Sequence, residues 1–174
     1  PKDEPGVAAR GDRLLGAPDE VAPAPGLRAT LRPYQRDGVA FLQHLRKIGS
    51  GGVLADDMGL GKTLQVIAHL AIEKEAGRLM TPALVVAPKS LAFNWVRELE
   101  RFAPHLKAAV LAGSGRRGVF AKLHDHDVIV TTYPTLLRDV DRMERVSFAT
   151  VVLDEAQPIK NVRRQTHRAL ARLA

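Results

Sequence analysis

The chain contains no cysteine, which excludes disulfides and thiolate-bound metal sites from its 174 residues. The same absence is compatible with a reducing compartment. The sequence also lacks any apolar run near the roughly 20 residues that a membrane helix requires. Its N-terminal residues have no apolar core of a signal peptide. These absences predict a cytoplasmic protein without a membrane partner.

Acidic residues are outnumbered by basic ones, and the formal net charge is +7. The imbalance is strongest after Lys160, where basic residues occur without any acid: Arg163, Arg164, Arg168 and Arg172. Such a surplus favours a polyanionic partner. A solvated helix face would explain the last stretch equally well.

Proline and glycine interrupt residues 1–26 so often that no hydrophobic period survives there. We expect this segment to be a linker or the tail of an upstream domain. Order is predicted from residue 27, beginning with a helix over Tyr34–Ile48 that has Pro33 in its first turn.

Short apolar runs then alternate with longer amphipathic segments. The runs predict strands at Gly52–Ala55, Ala83–Ala87, Ala108–Leu111, Val128–Thr131 and Thr150–Leu153. The amphipathic segments predict helices near Lys62–Ala76, Ser90–Phe102, Arg116–His124 and Pro134–Val140. Strands that are apolar throughout are typical of a parallel sheet covered on both faces. The pattern therefore predicts an α/β domain of three layers with a mostly parallel central sheet over residues 27–174.

A glycine-containing loop lies between the first predicted strand and the helix at Lys62. It reads Asp56-Asp57-Met58-Gly59-Leu60-Gly61-Lys62-Thr63. Glycine allows a tight turn close to an anion, and the N-terminus of the following helix favours negative charge. In a phosphate-binding loop Lys62 would reach the β- and γ-phosphates, and Thr63 would join the Mg²⁺ shell. The loop predicts a nucleotide-binding protein, although Asp56 occupies a position where the general pattern has glycine.

Two adjacent acids follow the predicted strand Thr150–Leu153. In a chain with a phosphate loop, Asp154 would hold Mg²⁺ and Glu155 would act as general base toward the attacking water. The pair alone would be explained as solvated carboxylates at a strand end. Together with the loop it predicts a nucleoside triphosphatase.

Five segments in a fixed order resemble the first RecA-like lobe of the Swi/Snf-like ATPases, double-stranded-DNA translocases of helicase superfamily two. They are Leu31–Gln35, Leu54–Thr63, Ala87–Leu91 with Asn94–Trp95, Thr131–Tyr133 and Asp154–Gln157. The resemblance implies a P-loop NTPase fold with ATP and Mg²⁺ as ligands. Gln157, where many members have histidine, is compatible with a bacterial branch, for which nucleoid association would be expected.

The resemblance also implies roles for individual residues. Gln35 would contact adenine, and Trp95 would pack beneath the nucleic-acid groove or simply in the core. The nucleotide loop would comprise Asp57, Met58, Gly59, Leu60, Gly61, Lys62 and Thr63. Contacts to the duplex backbone would come from Lys89, Ser90, Thr131 and Thr132.

A second RecA-like lobe of the same protein would complete the site with arginines. The resemblance therefore implies that these 174 residues alone bind ATP weakly and hydrolyse it hardly at all.

Three other interpretations remain at this point. A small-molecule phosphotransferase also uses a phosphate loop, but it would need an acceptor pocket and a lid. A nucleic-acid-binding module with a degenerate site would not need the intact Lys62, Thr63, Asp154 and Glu155. The histidines and aspartates of residues 124–127 could suggest a metal site, but a loop before a strand explains them more simply.

Overall fold

The structure, a computed structural model, describes residues 18–55, 59–113, 115–156 and 162–173, with backbone only for 162–164. These residues group into two compact units. One unit ends at Ile72 and the other begins at Glu73. The predicted boundary between a linker and a lobe at residues 26 and 27 stays a prediction.

Helix α1 (Pro33–Lys47) opens the regular structure of the first unit. Pro33 suits the first turn because its missing N–H would have no helical partner there. The Arg32 N–H donates instead to Oε1 of Gln35 at 2.9 Å, which satisfies one donor at the helix start. The helix predicted from Tyr34 is confirmed.

Helix α2 (Lys62–Glu75) begins directly after the phosphate loop, as the sequence predicts. In the first unit it packs on α1 through a small apolar cluster around Leu31, Val39 and Ala68. Beside this cluster, Nε2 of Gln43 and Nδ1 of His69 lie 2.9 Å apart in a buried polar pair. Pairing is expected here, since an unpartnered buried polar group is destabilising.

The predicted strand Gly52–Ala55 is wrong. Residues 51–55 have no regular secondary structure, and Val53 is 81% exposed. A strand forms only where a neighbour supplies backbone hydrogen bonds. A four-residue run that begins with glycine also loses much conformational entropy on ordering and has few side chains to bury.

The second unit contains a four-stranded sheet in which all neighbours are parallel, in the order β2-β3-β1-β4. Its strands are β1 (Ala83–Ala87), β2 (Ala108–Leu111), β3 (Val128–Thr132) and β4 (Thr150–Leu153). All four were predicted, and β3 is one residue longer than expected. The register places Ala87 beside Thr132 and Val86 beside Leu153.

In the described residues, three helices connect these strands and a fourth follows β4. They are α3 (Ala92–Phe102), α4 (Arg116–Ala121), α5 (Tyr133–Met143) and α6 (Val162–Ala171), with a 3₁₀ turn at Leu123–Asp125. The helix predicted over Arg116–His124 ends early because Lys122 leaves helical geometry, with φ −121° and ψ 25°. The prediction for α3 began two residues too soon, and the prediction for α5 ended three residues too soon.

Strands β1 and β3 are buried at every position, so both faces of the sheet centre are covered. One face carries a core cluster with side chains from the sheet and the later helices: Leu84, Val86, Leu111, Leu123, Ile129, Leu136, Met143 and Ala169. Helix α3 packs on β2 and β3 and buries Trp95 and Leu99. Within the described ranges, no helix is long and apolar enough to cross a membrane.

Two methionines provide a matched test of this core. Met143 is fully buried in the cluster, whereas Met80 is 83% exposed. We expect Met143→Ala to lower the free energy of unfolding by about 2–5 kcal/mol, because it leaves a cavity. Met80→Ala should change it by less than about 0.5 kcal/mol. Denaturant titration of both variants checks this, and equal effects would contradict the assigned core.

Candidate nucleotide and nucleic-acid site

Three predicted site segments of the second unit lie at or just after the ends of neighbouring parallel strands. Lys89 and Ser90 follow β1, Thr131 and Thr132 lie at the end of β3, and Asp154 follows β4. Carboxyl ends of parallel strands meet at one edge of a sheet, which is where ligands bind in open α/β folds. The Asp154 N–H donates to the Val86 carbonyl at 2.9 Å, which continues the β1–β4 ladder to the first acid.

Two aromatic side chains hold Asp154. The Trp95 indole Nε1–H donates to Oδ2 of Asp154 at 2.7 Å, and the Tyr133 hydroxyl donates to the Asp154 main-chain carbonyl at 2.8 Å. Trp95 is only 3% exposed. The structure therefore fixes both the backbone and the carboxylate of the predicted magnesium ligand.

The environment of Tyr133 keeps this donor protonated. Burial, and then the charges of Asp154 and Glu155, raise the pKa of Tyr133 to about 12. Both effects disfavour a phenolate beside existing negative charge. Its hydroxyl thus remains a hydrogen-bond donor throughout the physiological pH range.

Glu155, the predicted general base, has a left-handed backbone with φ 46°. Residues other than glycine seldom adopt this region, and strained positions of this kind are enriched at functional sites. Gln157 lies outside the described residues.

The predicted contacts to nucleic acid divide into two kinds. Lys89 and Ser90 are exposed at the sheet edge. Thr131 and Thr132 are buried, and the Thr131 hydroxyl donates to the Leu111 carbonyl at 2.9 Å. The Thr132 hydroxyl donates to that of Thr135 and accepts from its N–H at the start of α5. A direct phosphate contact by either threonine hydroxyl would have to replace these internal bonds.

The phosphate loop belongs to the first unit. Gly59 and Gly61 have φ +85° and +77°, conformations that L side chains rarely adopt. Helix α2 then starts at Lys62, so Lys62 and Thr63 occupy its first turn, where backbone N–H groups are available to an anion. Asp56, Asp57 and Met58 lie outside the described residues.

Gln35 is bound to this loop. It is 7% exposed, and its Nε2 donates to the Leu60 carbonyl at 3.1 Å. The Tyr34 hydroxyl donates to the same carbonyl at 3.2 Å. The structure places Gln35 beside the predicted nucleotide loop, and its adenine contact stays a prediction.

Asp127, one of the residues weighed as a metal ligand, has structural partners. It accepts from Nζ of Lys74 at 2.6 Å and from the Lys107 N–H at 2.9 Å. The described segments contain no group of three or more His, Cys, Asp or Glu side chains that could hold a metal ion.

The sequence did not predict the hydrogen bonds that three aromatic side chains make to the site residues. These side chains are Tyr34, Trp95 and Tyr133. One signal was available for Trp95, because a buried indole N–H usually finds an acceptor. Which acceptor it finds depends on the packing of α3 against the sheet, which the sequence does not specify.

Comparison with known proteins decides the family. The SNF2-related domain matches residues 34–174. The chain belongs to this SNF2-related family. The family prediction is confirmed, and so is the fold class.

Proteins of similar sequence support the same family. The SNF2-related chain is 44% identical over 153 residues to YwqA of Bacillus subtilis, covering 86% of this chain and 17% of YwqA. It is 39% identical over 136 residues to the ISWI chromatin-remodeling complex ATPase ISW1 of Saccharomyces cerevisiae, covering 75% of this chain and 12% of ISW1. The chain thus spans less than a fifth of the length of these relatives.

A solved structure, the Sulfolobus solfataricus SWI2/SNF2 ATPase core in complex with dsDNA, superimposes with a TM-score of 0.80. It is 44% identical in sequence, and the match covers 89% of this chain and 32% of that chain. The RecA-like arrangement of this SNF2-related chain follows from that likeness.

The two loop glycines provide the next prediction. An added Cβ at Gly61 would lie 2.6 Å from Nε2 of Gln35, whereas at Gly59 it would meet open space. Both backbones have positive φ, so Gly59→Ala should lower the free energy of unfolding by roughly 1–2 kcal/mol. Gly61→Ala should lower it further, because Gln35 must give up its bond to Leu60.

A double-mutant cycle tests the contact itself. Combining Gly61→Ala with Gln35→Ala should be less destabilising than the sum of the two single changes. Denaturant titration of the four proteins measures this. Additive effects, or equal effects of the two glycine changes, would contradict the described packing of Gln35 on the loop.

Proposed function

We propose that this chain is the ATP-binding motor lobe of a DNA-dependent ATPase that moves along double-stranded DNA. The observation that carries the proposal is family membership combined with an intact set of chemical groups. Lys62 and Thr63 lie in the first turn of a helix after two glycines with positive φ, and Asp154 and Glu155 follow a strand of a parallel sheet.

The loop residues suit a triphosphate. An added Cβ at Gly59 would meet open space, so the loop backbone is accessible there, and the positive φ of Gly59 and Gly61 favours glycine at both positions. The first-turn N–H groups of α2 and the Lys62 ammonium would neutralise phosphate charge. Gln35, already bonded to the loop through Leu60, would contact adenine with its amide.

Asp154 and Thr63 offer the oxygen donors that Mg²⁺ prefers. When bound, Mg²⁺ would neutralise charge on the phosphate oxygens. Trp95 and Tyr133 hold Asp154 in place, and Glu155 would accept a proton from the attacking water. The proposed Mg²⁺ and ATP roles rest on these donor groups.

Duplex binding would use the carboxyl edge of the sheet. Lys89 and Ser90 are exposed there and suit contacts to phosphates, which position a protein without reading sequence. Thr131 and Thr132 would act through the backbone at the end of β3 as well as any direct contact. The Sulfolobus SWI2/SNF2 ATPase core, which was solved in complex with dsDNA, supports a duplex as partner.

A second lobe would complete the motor. Arginines from that lobe would stabilise the transferring phosphoryl group, which contributes about 10³–10⁵ in rate in triphosphatases. The two lobes would close on ATP and reopen after hydrolysis. This cycle would make and release their contacts with the duplex backbone in turn.

Hydrolysis by the natural full-length protein tests the proposal. We expect ATP hydrolysis to increase with duplex DNA, and Glu155→Gln to reduce the stimulated rate by about 10²–10⁴-fold, because it removes the general base. Glu100→Gln, the same change at an exposed position of α3, is the control and should leave the rate unchanged. Absence of stimulation in the wild-type protein would contradict the proposal.

The predicted backbone contact has its own test. Lys89→Ala should weaken duplex binding to a similar extent for all DNA sequences. It should also reduce the slope of log binding constant against log salt concentration by about one, because one phosphate contact is lost. Lys107→Ala is the matched control, since Lys107 is exposed but precedes β2 at the opposite sheet edge. Binding titrations at several salt concentrations measure both. An unchanged salt slope in Lys89→Ala would exclude this contact.

A further inference from the structure

Both predicted duplex-binding segments lead directly to an aromatic residue that is bonded to Asp154. Lys89 and Ser90 precede α3, on which Trp95 donates to the Asp154 carboxylate. Thr131 and Thr132 precede α5, whose first residue, Tyr133, donates to the Asp154 carbonyl. Two separate segments therefore converge on one acid.

The connection through α3 is short. Leu91 caps the helix, and its carbonyl accepts the Trp95 N–H at 3.0 Å, so Trp95 lies in the first turn. A displacement of the backbone at Lys89 and Ser90 would therefore reach Trp95 through that single turn. The indole N–H can only donate, so its bond at 2.7 Å depends on where the Asp154 carboxylate lies.

The connection through α5 is equally direct. Thr132 is the N-cap of α5 and accepts the Thr135 N–H, which ties the end of β3 to the first turn. Tyr133 follows it as the first residue of α5. The hydroxyl bond to the Asp154 carbonyl is 2.8 Å long.

We propose that Trp95 and Tyr133 are positioning residues that transmit duplex contact at Lys89–Ser90 and Thr131–Thr132 to Asp154, and thereby set its geometry toward Mg²⁺. This inference rests on the proposed function and deepens it. Simple core packing accounts for the burial of Trp95 but not for the pairing of its N–H with this carboxylate. Packing likewise leaves unexplained why the second segment reaches the same residue.

Conservative substitutions remove each bond separately. Tyr133→Phe deletes one hydroxyl, and Trp95→Phe keeps an aromatic ring without the N–H. In the natural full-length protein, we expect each substitution to raise the Mg²⁺ concentration that gives half-maximal hydrolysis. The increase should be about ten-fold for Trp95→Phe, because this change removes a hydrogen bond to a charged acceptor. The ratio of duplex-stimulated to basal hydrolysis should fall in both, while duplex affinity stays unchanged.

The control is Asn94→Ala on the same helix. Asn94 donates to Glu98 at 3.2 Å within α3, so this change removes a local polar bond without involving Asp154. It should leave the Mg²⁺ dependence and the stimulation ratio as in the wild-type protein.

The outcomes separate the two proposals. If the wild-type protein shows no duplex stimulation, the proposed function fails. If the wild-type protein is stimulated but both variants keep its Mg²⁺ dependence and ratio, only this inference is overturned. A uniform loss of rate with both quantities unchanged also overturns it, since that result indicates a purely structural role. If Trp95→Phe does not fold, the Mg²⁺ dependence and stimulation ratio of Tyr133→Phe, which removes only a hydroxyl, decide whether the inference holds.

Discussion

The site of the second unit depends on how one aspartate is held at the end of β4. Its N–H extends the ladder to β1, its carbonyl accepts from Tyr133, and its carboxylate accepts from Trp95. A carboxylate used for metal binding must be restrained by its neighbours to be effective. Parallel strands ending at one edge make this possible, because they bring the ends of β1, β3 and β4 together.

The sequence was sufficient to predict secondary structure where one physical signal dominated. Apolar runs bounded by turns predicted all four strands of the sheet, because burial on both faces leaves little choice of residue. The glycines before Lys62 predicted the turn into α2, because positive φ favours glycine. The same apolar signal failed at Gly52–Ala55, where ordering depends on a neighbour rather than on the run itself.

Contacts between distant segments could not be predicted in the same way. The bond from Trp95 to Asp154 joins residues 59 positions apart, and its existence depends on how α3 packs. The burial of Thr131 and Thr132 follows from the central position of β3 in the sheet order, which the sequence pattern leaves open. Motif order predicted the family, whereas side-chain partners required the fold.

Asp154 is the proposed metal ligand, and direct observation of metal binding tests that proposal. Mn²⁺ can replace Mg²⁺ as a paramagnetic probe, titrated into the full-length protein with a non-hydrolysable ATP analogue and followed by electron paramagnetic resonance. The account predicts tight, nucleotide-dependent Mn²⁺ binding that Asp154→Asn weakens strongly. Equal Mn²⁺ affinity in the two proteins would contradict it.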